Sequence, residues 1–415
     1  MQSDSILKPL RRPRFRRMIT AQFVAETGDG ITLVALPLYV FARTDSALLT
    51  SLTFAAEMTI GILLGFLGGI AADAFDRQRV LLTSYLVRGG LLVAAFAVGP
   101  LWLAVSFGIL ARALGQLDNP SFDALVPGQA DDDLQQVLAV RRFVQAVSIT
   151  IGPAVGAIAV SLIGARSALL MNAALFAVSW LILVGVKGLD ADHADRAAAL
   201  EGLSVTEAAR DLAGGMAIAV RIRGVRRLVL YWSLGMSAVA IVMAAAIVWF
   251  ERSLAVDEIW YGLAISAYGI GAAIGAAWAG GRSFSWPLPR VLLVVAPIYA
   301  AFCGVGVLFA VPWLLPLGWL CWGIALGPEM VLGELFFVRR VPEESLGRAF
   351  AGVGVANTVG MAAGYAIAGP ALELWGPRSV VLGVAAFILL LGLVLWLRPA
   401  MEGAAWPDRE LEPVA

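Results

Sequence analysis

Stretches of about 20 residues without a charged side chain recur along this sequence, and they constrain its fold more than any other feature. A helix that crosses a bilayer needs about 20 mostly apolar residues, because lipid offers its backbone polar groups no hydrogen bonds. Only 14% of the residues are charged and 60% are apolar, which excludes a water-soluble globule. The uncharged stretches are 89–111, 143–165, 167–186, 228–250, 259–281, 291–328, 349–372 and 379–397.

Twelve membrane-spanning helices follow from this pattern. Two interrupted apolar runs, near 18–41 and 50–72, add helices at the N-terminal end. Breaks at Gly99-Pro100 and at Val311-Pro312-Trp313 separate further helices, because proline ends or bends a helix. The predicted fold class is an all-α membrane protein with helices over 18–41, 50–72, 79–98, 101–119, 138–162, 166–186, 227–250, 258–281, 290–310, 313–335, 349–373 and 377–398.

The placement of basic residues supports this count. An even number of helices puts both termini on one side of the membrane, and lysine and arginine near helix ends stay in the cytoplasm. The side of the N-terminus receives 24 of them, whereas the other side receives only Arg43, Arg166, Arg252 and Arg378. One missed helix would exchange the sides of every later loop. We therefore predict that both termini are cytoplasmic.

Residues 187–226 form the one long polar stretch and divide the helices six and six. Within it, Ser204 and Glu207 have the spacing of a capping box, which predicts that an amphipathic helix begins there. The predicted domains are a six-helix bundle over 1–186, this linker over 187–226, a second six-helix bundle over 227–398 and a cytoplasmic tail over 399–415.

The two halves also resemble each other in sequence. Five short matches occur in the same order at offsets of 210 to 215 residues: Arg16-Arg17 with Arg226-Arg227, Gly61 and Gly65 with Gly271 and Gly275, Arg79-Val-Leu-Leu with the segment from Arg290, Val126-Pro127 with Val341-Pro342, and Arg166-Ser167 with Arg378-Ser379. A duplicated unit in parallel orientation creates a pseudo-two-fold axis along the membrane normal and a cavity between the bundles. Rocking of the bundles would open that cavity to each side in turn, which predicts a carrier. A channel is the alternative.

The loop between the second and third helices carries the most specific motif. It reads Gly65-Phe-Leu-Gly-Gly-Ile-Ala-Ala-Asp73-Ala-Phe-Asp76-Arg77-Gln-Arg79. It resembles the corresponding loop of the major facilitator superfamily, in which a glycine, three residues and an aspartate precede a basic cluster; the matching positions are Gly69, Asp73, Arg77 and Arg79. The resemblance implies a cytoplasmic gate, with Asp73 near a helix N-terminus of the other bundle and the arginines bound to acidic groups such as Asp123. The alternative is a turn whose arginines only set the topology.

The fifth helix contains Gly152-Pro153-Ala-Val-Gly156. This segment is similar to the antiporter signature of exporters in that superfamily. Proline removes an intrahelical hydrogen bond and glycine lets backbones approach, so we expect a kinked, closely packed helix. Ordinary helix packing is the alternative interpretation.

Charged side chains inside the helices are the candidate coupling residues, because each costs about 2.5 to 3.5 kcal/mol at the centre of a membrane helix. Glu26 and Asp29 lie on one face of the first helix, Glu57 in the second, Arg112 in the fourth and Glu329 in the tenth. We expect Glu26 or Asp29 to bind the coupling proton, with Glu329 at a similar depth in the other bundle. Arg112 would hold a neighbouring carboxylate ionised in one state and release it in another.

Two further acidic residues in these helices have a simpler explanation. Asp118 and Glu334 are expected to form interhelical hydrogen bonds or to lie near the cytoplasmic mouth, and the same explanation is open for each candidate above. The single histidine, His193, lies in the polar linker, so a proton carrier inside the membrane must be a carboxylate.

Several classes of function are excluded. The sequence has no Gly-x-x-x-x-Gly-Lys phosphate loop, so ATP-driven transport by this chain is ruled out. One histidine and two cysteines do not make a zinc cluster, and we expect no metal, no cofactor and no enzymatic activity. A net charge of zero gives no reason to expect nucleic-acid binding.

The resemblance extends over nearly the whole chain. It includes Gly28-Asp29-Gly30 followed by Leu33-Val-Ala-Leu-Pro37, the loop after the second helix, Gly152-Pro153, and Pro342-Glu-Glu-Ser-Leu-Gly-Arg348. Together these segments resemble the bacterial branch of macrolide, multidrug and siderophore exporters. The resemblance implies a monomer in the bacterial inner membrane that exports a small amphipathic substrate in exchange for protons. The alternatives are uptake or lipid transport by the same fold, and a membrane sensor or assembly factor that transports nothing.

Overall fold

The structure is a computed structural model and describes residues 8–130, 133–186, 189, 214–280, 288–309 and 311–396. Every regular element in these ranges is helical. The N-terminal half contains α1 (Pro13–Thr44), α2 (Ala47–Ala74), α3 (Arg77–Ala97), α4 (Leu101–Ala113, continuing after Leu114 as Gly115–Leu125), α5 (Leu134–Ile163) and α6 (Ala165–Val184).

The C-terminal half contains α7 (Arg223–Val248, extended by a π-helical turn over Trp249–Leu254), α8 (Ile259–Gly280), α9 (Leu288–Leu308), α10 (Leu314–Arg340) and a helix over Leu346–Trp396. This last helix is interrupted at Gly376, where φ is 72°, a value that glycine adopts without strain. We call the part before Gly376 α11 and the part after it α12. In the described ranges, eleven helices are long and apolar enough to cross a membrane, and the last is long enough to cross twice. The prediction of twelve membrane helices is confirmed.

The helices extend beyond the predicted spans at several ends. The first begins at Pro13, a residue suited to the first helical position, and includes Arg14, Arg16 and Arg17. An apolar window marks only the part of a helix that crosses lipid, so its polar ends escape such a window. The capping box at 204–207 lies outside the described residues, while residues 214–221 are helical.

Glycines let α5 approach α1 closely within the N-terminal half. A Cβ atom added at Gly30 would lie 2.6 Å from the Cα atom of Gly152, and one at Gly156 would lie 2.8 Å from the Cα atom of Ile31. Since both distances are far below van der Waals contact, larger residues would separate the two helices. The helix α5 continues through Pro153. Its glycines make the close approach expected from the motif, whereas the kink at Pro153 stays a prediction.

The C-terminal half repeats this packing. A Cβ atom at Gly364 of α11 would lie 2.8 Å from the Cα atom of Ser237 in α7, and Ser237 Oγ donates to the Gly360 carbonyl oxygen at 2.6 Å. The glycine pairs noticed in the sequence also have matching roles. Gly65 lies against Gln116 of α4, and its counterpart Gly275 lies against Gly327 of α10. The two halves are therefore pseudo-symmetric in packing as well as in helix order.

The halves meet along two helix pairs, α2 with α11 and α5 with α8. The rings of Phe54 and Tyr365 stack across the first pair with centroids 4.5 Å apart. In the second pair, a Cβ atom at Gly262 of α8 would lie 2.6 Å from the carbonyl oxygen of Pro153. The segment around Pro153 thus packs on α1 and on the other half at once.

Replacement of Gly156 by leucine should destabilise the protein, because the new side chain would collide with the α1 backbone. We expect a loss of about 1 to 3 kcal/mol, the usual range for overpacking, seen as a lower melting temperature in detergent. Gly383→Leu is the matched control, since a Cβ atom there meets nothing within 4 Å. Equal melting temperatures of the two variants would contradict this account of the α1–α5 contact.

Candidate functional site

Arg88 lies in the middle of α3 and is only 2% exposed. Its Nη1 atom donates to Asp118 Oδ2 of α4 at 3.1 Å, and its Nη2 atom binds Asp29 of α1. Its Nε atom donates to the Ala111 carbonyl oxygen at 2.8 Å, and its guanidinium carbon lies 4.3 Å from the ring centre of Phe176 in α6. One buried arginine therefore joins α3 to three other helices.

The backbone of α4 is shaped to admit this arginine. The helix is interrupted at Leu114, and a Cβ atom at the following Gly115 would lie 3.0 Å from Arg88 Nη2. Ser84 Oγ of α3 donates to Asp118 Oδ2 at 2.8 Å. Asp118 is thus held by interhelical hydrogen bonds, as expected for this residue from the sequence.

Arg112 of α4 connects α1 with α2. Its Nε atom binds Glu57 of α2, and its Nη1 atom donates to the backbone carbonyl oxygen of Asp29 at 2.6 Å. Asp29 therefore contacts Arg88 through its side chain and Arg112 through its backbone. The structure brings together Asp29, Glu57 and Arg112, all three of which the sequence singled out.

Glu26 lies almost one turn before Asp29 on α1 but binds a different arginine. Its Oε1 atom accepts hydrogen bonds from Arg141 Nη1 of α5 at 2.9 Å and from Gln22 Nε2 at 3.0 Å. Arg141 Nε also donates to Asp123 Oδ1 at 2.9 Å. Glu26 Oε2 is buried and has no hydrogen-bond partner among the described residues.

Carboxylates outnumber guanidinium groups in this network. Three arginines bind five carboxylates: Arg88, Arg112 and Arg141 with Glu26, Asp29, Glu57, Asp118 and Asp123. Asp123 is 55% exposed, so water solvates much of its charge. The other four carboxylates still exceed the arginines by one. A carboxylate in excess of the arginines is costly within a membrane span, and binding of one proton would remove the excess charge.

The Arg112–Glu57 pair borders a cavity of about 590 Å³ between the two halves. Its walls are formed by α2 and α4 on one side and by α11 on the other, where Gly354 and Met361 contribute. The charged network of the N-terminal half thus reaches the space between the halves at this pair.

Glu329 of α10 occupies a different environment in the C-terminal half. It is buried, and its Oε2 atom lies 3.5 Å from the hydroxyl of Tyr231, a long hydrogen bond. Glu334, about one turn further along α10, is exposed. Neither forms a salt bridge within the described ranges. The structure does not bring Glu329 into the network of Glu26 and Asp29, which belongs to the other half.

A third group of charges joins the halves at the end where α1 stops. Arg252 Nε donates to Asp45 Oδ1 at 2.9 Å, and Arg252 Nη1 lies 3.5 Å from Glu373 Oε2. Glu373 Oε1 accepts the backbone N–H of Ala47 at 2.7 Å, at the positive N-terminus of α2. These contacts, with the Phe54–Tyr365 stack nearby, close this end of the interface.

Comparison with known protein families identifies the family of this chain. The sequence model described as Major Facilitator Superfamily matches residues 18–312 and 227–414. The chain belongs to this superfamily. It is therefore a transporter with the superfamily fold, and the two pseudo-symmetric halves described above are the halves of that fold.

Individual relatives of this transporter include exporters. It is 25% identical over 412 residues to the multidrug efflux pump Tap of Mycobacterium tuberculosis, covering 94% of each chain. It is 26% identical over 414 residues to the enterobactin exporter EntS of Citrobacter koseri, covering 95% of this chain and 93% of the relative. Among solved structures, the nucleoside transporter NupG superposes with a TM-score of 0.74 at 14% identity, over 92% of this chain and 98% of that one.

The superfamily loop between α2 and α3 has a different bonding pattern from the one expected. Asp123 does not bind Arg77 or Arg79; its partner is Arg141, because Arg141 projects from α5 between Asp123 and Glu26. Arg77 Nη1 instead donates to the Ala124 carbonyl oxygen at 3.1 Å.

The rest of the loop is only partly described. Arg79 is exposed and lies 3.7 Å from Asp76, whose Oδ1 atom also accepts the backbone N–H of Arg79 at the start of α3. The surroundings of Gly69 and of the Asp73 side chain lie outside the described part of the structure. A gate formed by Asp73 with the other half therefore stays a prediction.

Sequence reasoning missed three of the residues that organise this transporter. Arg88 lies inside the predicted span 79–98, and a charge in the middle of a span is a signal that could have found it. Arg141 lies near the start of the predicted span 138–162, where a basic residue is explained by topology alone, so its ion pairs with two other helices were not foreseen. Arg252 contacts Glu373, which is far away in the sequence, and no local pattern predicts this contact.

Replacement of Arg88 by alanine should strongly destabilise the transporter, because Asp29 and Asp118 would lose their guanidinium. Removal of one partner of a buried ion pair costs about 3 to 5 kcal/mol. We expect a lower yield of monodisperse protein and a lower melting temperature. The triple variant Arg88→Met, Asp29→Asn, Asp118→Asn should recover most of the loss, since no buried charge is left unpaired. Failure of this rescue, or normal stability of the single variant, would contradict the assignment.

Replacement of Arg252 by alanine should loosen the contact between the halves at the far end of α1. Ser51 provides an isosteric reporter: it is 1% exposed and lies on the α2 face between Leu48 and Phe54. In a background without Cys303 and Cys321, Ser51→Cys should react faster with a membrane-impermeant maleimide when Arg252 is alanine. Arg252→Lys, which keeps the charge, should react more slowly than Arg252→Ala. Equal rates in all three backgrounds would show that Arg252 does not hold this end closed.

Proposed function

We propose that this transporter exports small amphipathic compounds in exchange for protons, by alternating access between its two halves. The observation that carries the proposal is the position of Asp29. Its side chain shares Arg88 with the buried Asp118, while its backbone carbonyl binds Arg112, which borders the cavity between the halves. A change of charge at Asp29 is therefore connected through one arginine to the space where a substrate would bind.

Charge balance supports a proton at this position. Asp29 is 29% exposed, more than Asp118, with which it shares a guanidinium. Two carboxylates on one arginine repel each other, and neutralisation of the more accessible one relieves that repulsion. Asp29 is therefore the proposed proton site. Glu26 is the second candidate, because Arg141 is shared with Asp123 in the same way.

Protonation of Asp29 would change how Arg88 and Arg112 are held. Arg88 would then be balanced by Asp118 alone, and a small movement of α1 would alter the carbonyl that Arg112 contacts. Arg112 and Glu57 could in turn separate and change the cavity wall. Proton binding and substrate binding would compete by this route, as an exchange mechanism requires.

Alternating access is supported by the contacts between the halves. At the far end of α1, the Arg252–Asp45 ion pair, the hydrogen bond from the Ala47 backbone to Glu373 and the buried Phe54–Tyr365 stack hold the halves together. The ion pair is partly exposed, and exposed ion pairs contribute about 0 to 1 kcal/mol each. They are weak enough to be broken in another state. Near the middle of the interface, the cavity beside Arg112 and Glu57 remains.

The proposed direction of transport, export, is supported by similarity to the pump Tap and the exporter EntS. The same proposal places the transporter in the bacterial inner membrane, as a monomer whose two termini are cytoplasmic. Uptake by the same fold and a sensor that transports nothing are the outcomes that would replace it. Measurement of compound accumulation in whole cells distinguishes export from uptake, because export lowers the accumulation and uptake raises it.

The coupling proposal is tested with the purified protein in liposomes under an imposed pH gradient. With a panel of amphipathic compounds, we expect gradient-dependent flux that falls at least about tenfold in Asp29→Asn and in Arg112→Ala. Exchange of substrate for substrate, which needs no proton, should persist in Asp29→Asn. Glu344→Gln, an exposed position between α10 and α11, serves as the control.

Each outcome is informative about a different part of the proposal. If flux through the unaltered protein does not depend on the pH gradient, the proposal of proton coupling is overturned. Normal gradient-dependent flux in both variants would overturn the assignment of Asp29 and Arg112. A protein that moves none of the compounds in either assay would favour the sensor.

A further inference from the structure

A second cavity, of about 420 Å³, lies inside the C-terminal half. Its volume falls in the range of about 300 to 1,000 Å³ that is typical of sites for small molecules. Six aromatic side chains make up much of its wall: Tyr231, Trp232, Tyr268, Tyr299, Trp322 and Phe350. Trp322 is fixed by its neighbours, because the ring centres of Tyr268 and Tyr299 lie 4.5 and 4.6 Å from it. The cavity is thus a preformed aromatic pocket.

The charges that line this pocket have one sign. Glu329 is 4% exposed and lines the cavity together with the exposed Glu334. No lysine or arginine is among the described residues of its wall. This differs from the N-terminal half, where buried carboxylates bind arginines. A buried carboxylate without a cation is costly unless a cationic ligand or a proton reaches it.

We propose that the aromatic pocket around Glu329 binds a lipophilic cation with a single positive charge. Aromatic faces attract cations, most strongly where water is excluded, and Glu329 supplies the opposite charge. An anion of the same shape would meet two carboxylates and no cation. The inference rests on the proposed transport function, because it names the charge of the substrate.

The pocket is connected to the space between the halves. Gly354 of α11 lines both the aromatic pocket and the cavity beside Arg112 and Glu57. A Cβ atom added at Gly354 would meet nothing within 4 Å, so this glycine borders open space. A cation bound at Glu329 would therefore lie next to the cavity bordered by Arg112, which contacts the backbone of the proposed proton site Asp29.

The test uses two probes of the same shape and opposite charge, tetraphenylphosphonium and tetraphenylborate. Binding to the purified protein in detergent is measured by equilibrium dialysis. We expect tetraphenylphosphonium to bind, and Glu329→Gln to weaken its affinity at least about tenfold because the opposite charge is lost. Tetraphenylborate should bind weakly to the unaltered protein and more tightly to Glu329→Gln, because repulsion is removed.

Two variants keep the result interpretable. Glu329→Gln removes a charge that has no cationic partner among the described residues, so the melting temperature of this variant should not fall. A large loss of stability would contradict the conclusion that the charge of Glu329 is uncompensated. Gly354→Leu places a side chain in the open space and should reduce tetraphenylphosphonium binding, whereas Gly383→Leu, on α12 and outside both cavities, should leave it unchanged. Unchanged affinity in both Glu329→Gln and Gly354→Leu would overturn the site.

Failure of this inference can be told apart from failure of the transport proposal. Proton-driven flux of uncharged compounds, without tetraphenylphosphonium binding, would remove the cation site and leave the transport proposal intact. Binding that depends on Glu329, without flux in liposomes, would support the site and overturn the transport proposal. Equal binding of both probes, insensitive to Glu329, would indicate partition into detergent or apolar surface and would overturn the site.

Discussion

Ion pairs buried among the helices of the N-terminal half organise the rest of this structure. Guanidinium groups removed from water need partners, and Arg88 finds them on α1 and α4 while its plane lies over a ring of α6. Arg112 of α4 does the same with α2, and Arg141 of α5 does so with α1 and α4, so charge as well as apolar packing sets the positions of these helices. In the proposed mechanism, protonation of a single carboxylate would change this arrangement.

The two halves have the same helix order but different interiors. Glycines hold α5 on α1 and α11 on α7 at equivalent places, so the duplicated backbone is built by the same means. Charged pairs occupy the interior of the N-terminal half, whereas the cavity of the C-terminal half is lined by aromatic rings and by two carboxylates without an ion-pair partner among the described residues. This division suits the proposed exchange of two ligands, since one half would provide the proton site and the other an aromatic surface with negative charge.

The predictions from sequence succeeded where a local pattern carries the physics. A helix must satisfy its own hydrogen bonds in lipid, so apolar length predicts each span, and Gly376 marks the turn between α11 and α12. Glu26, Asp29, Glu57 and Arg112 were recognised because a charge in such a span needs a reason. The partners of these residues were not recognised, because the sequence of one span does not indicate which helix packs against it. The resemblance to the superfamily implied that Asp123 binds the arginines of the loop, whereas Arg141 of α5 binds it.

The sequence by itself determined the class of protein, the twelve helices, the duplication and the set of charges that cannot face lipid. Tertiary structure alone decided which arginine each carboxylate binds, that Arg252 and Glu373 contact the other half, and that six aromatic side chains line the cavity beside Glu329. The physical reason is that hydrophobicity and helix formation act within 20 or so neighbouring residues. Ion pairs and pockets depend on the packing of helices that are distant in the chain, and close approach at glycines such as Gly30, Gly152 and Gly262 sets that packing.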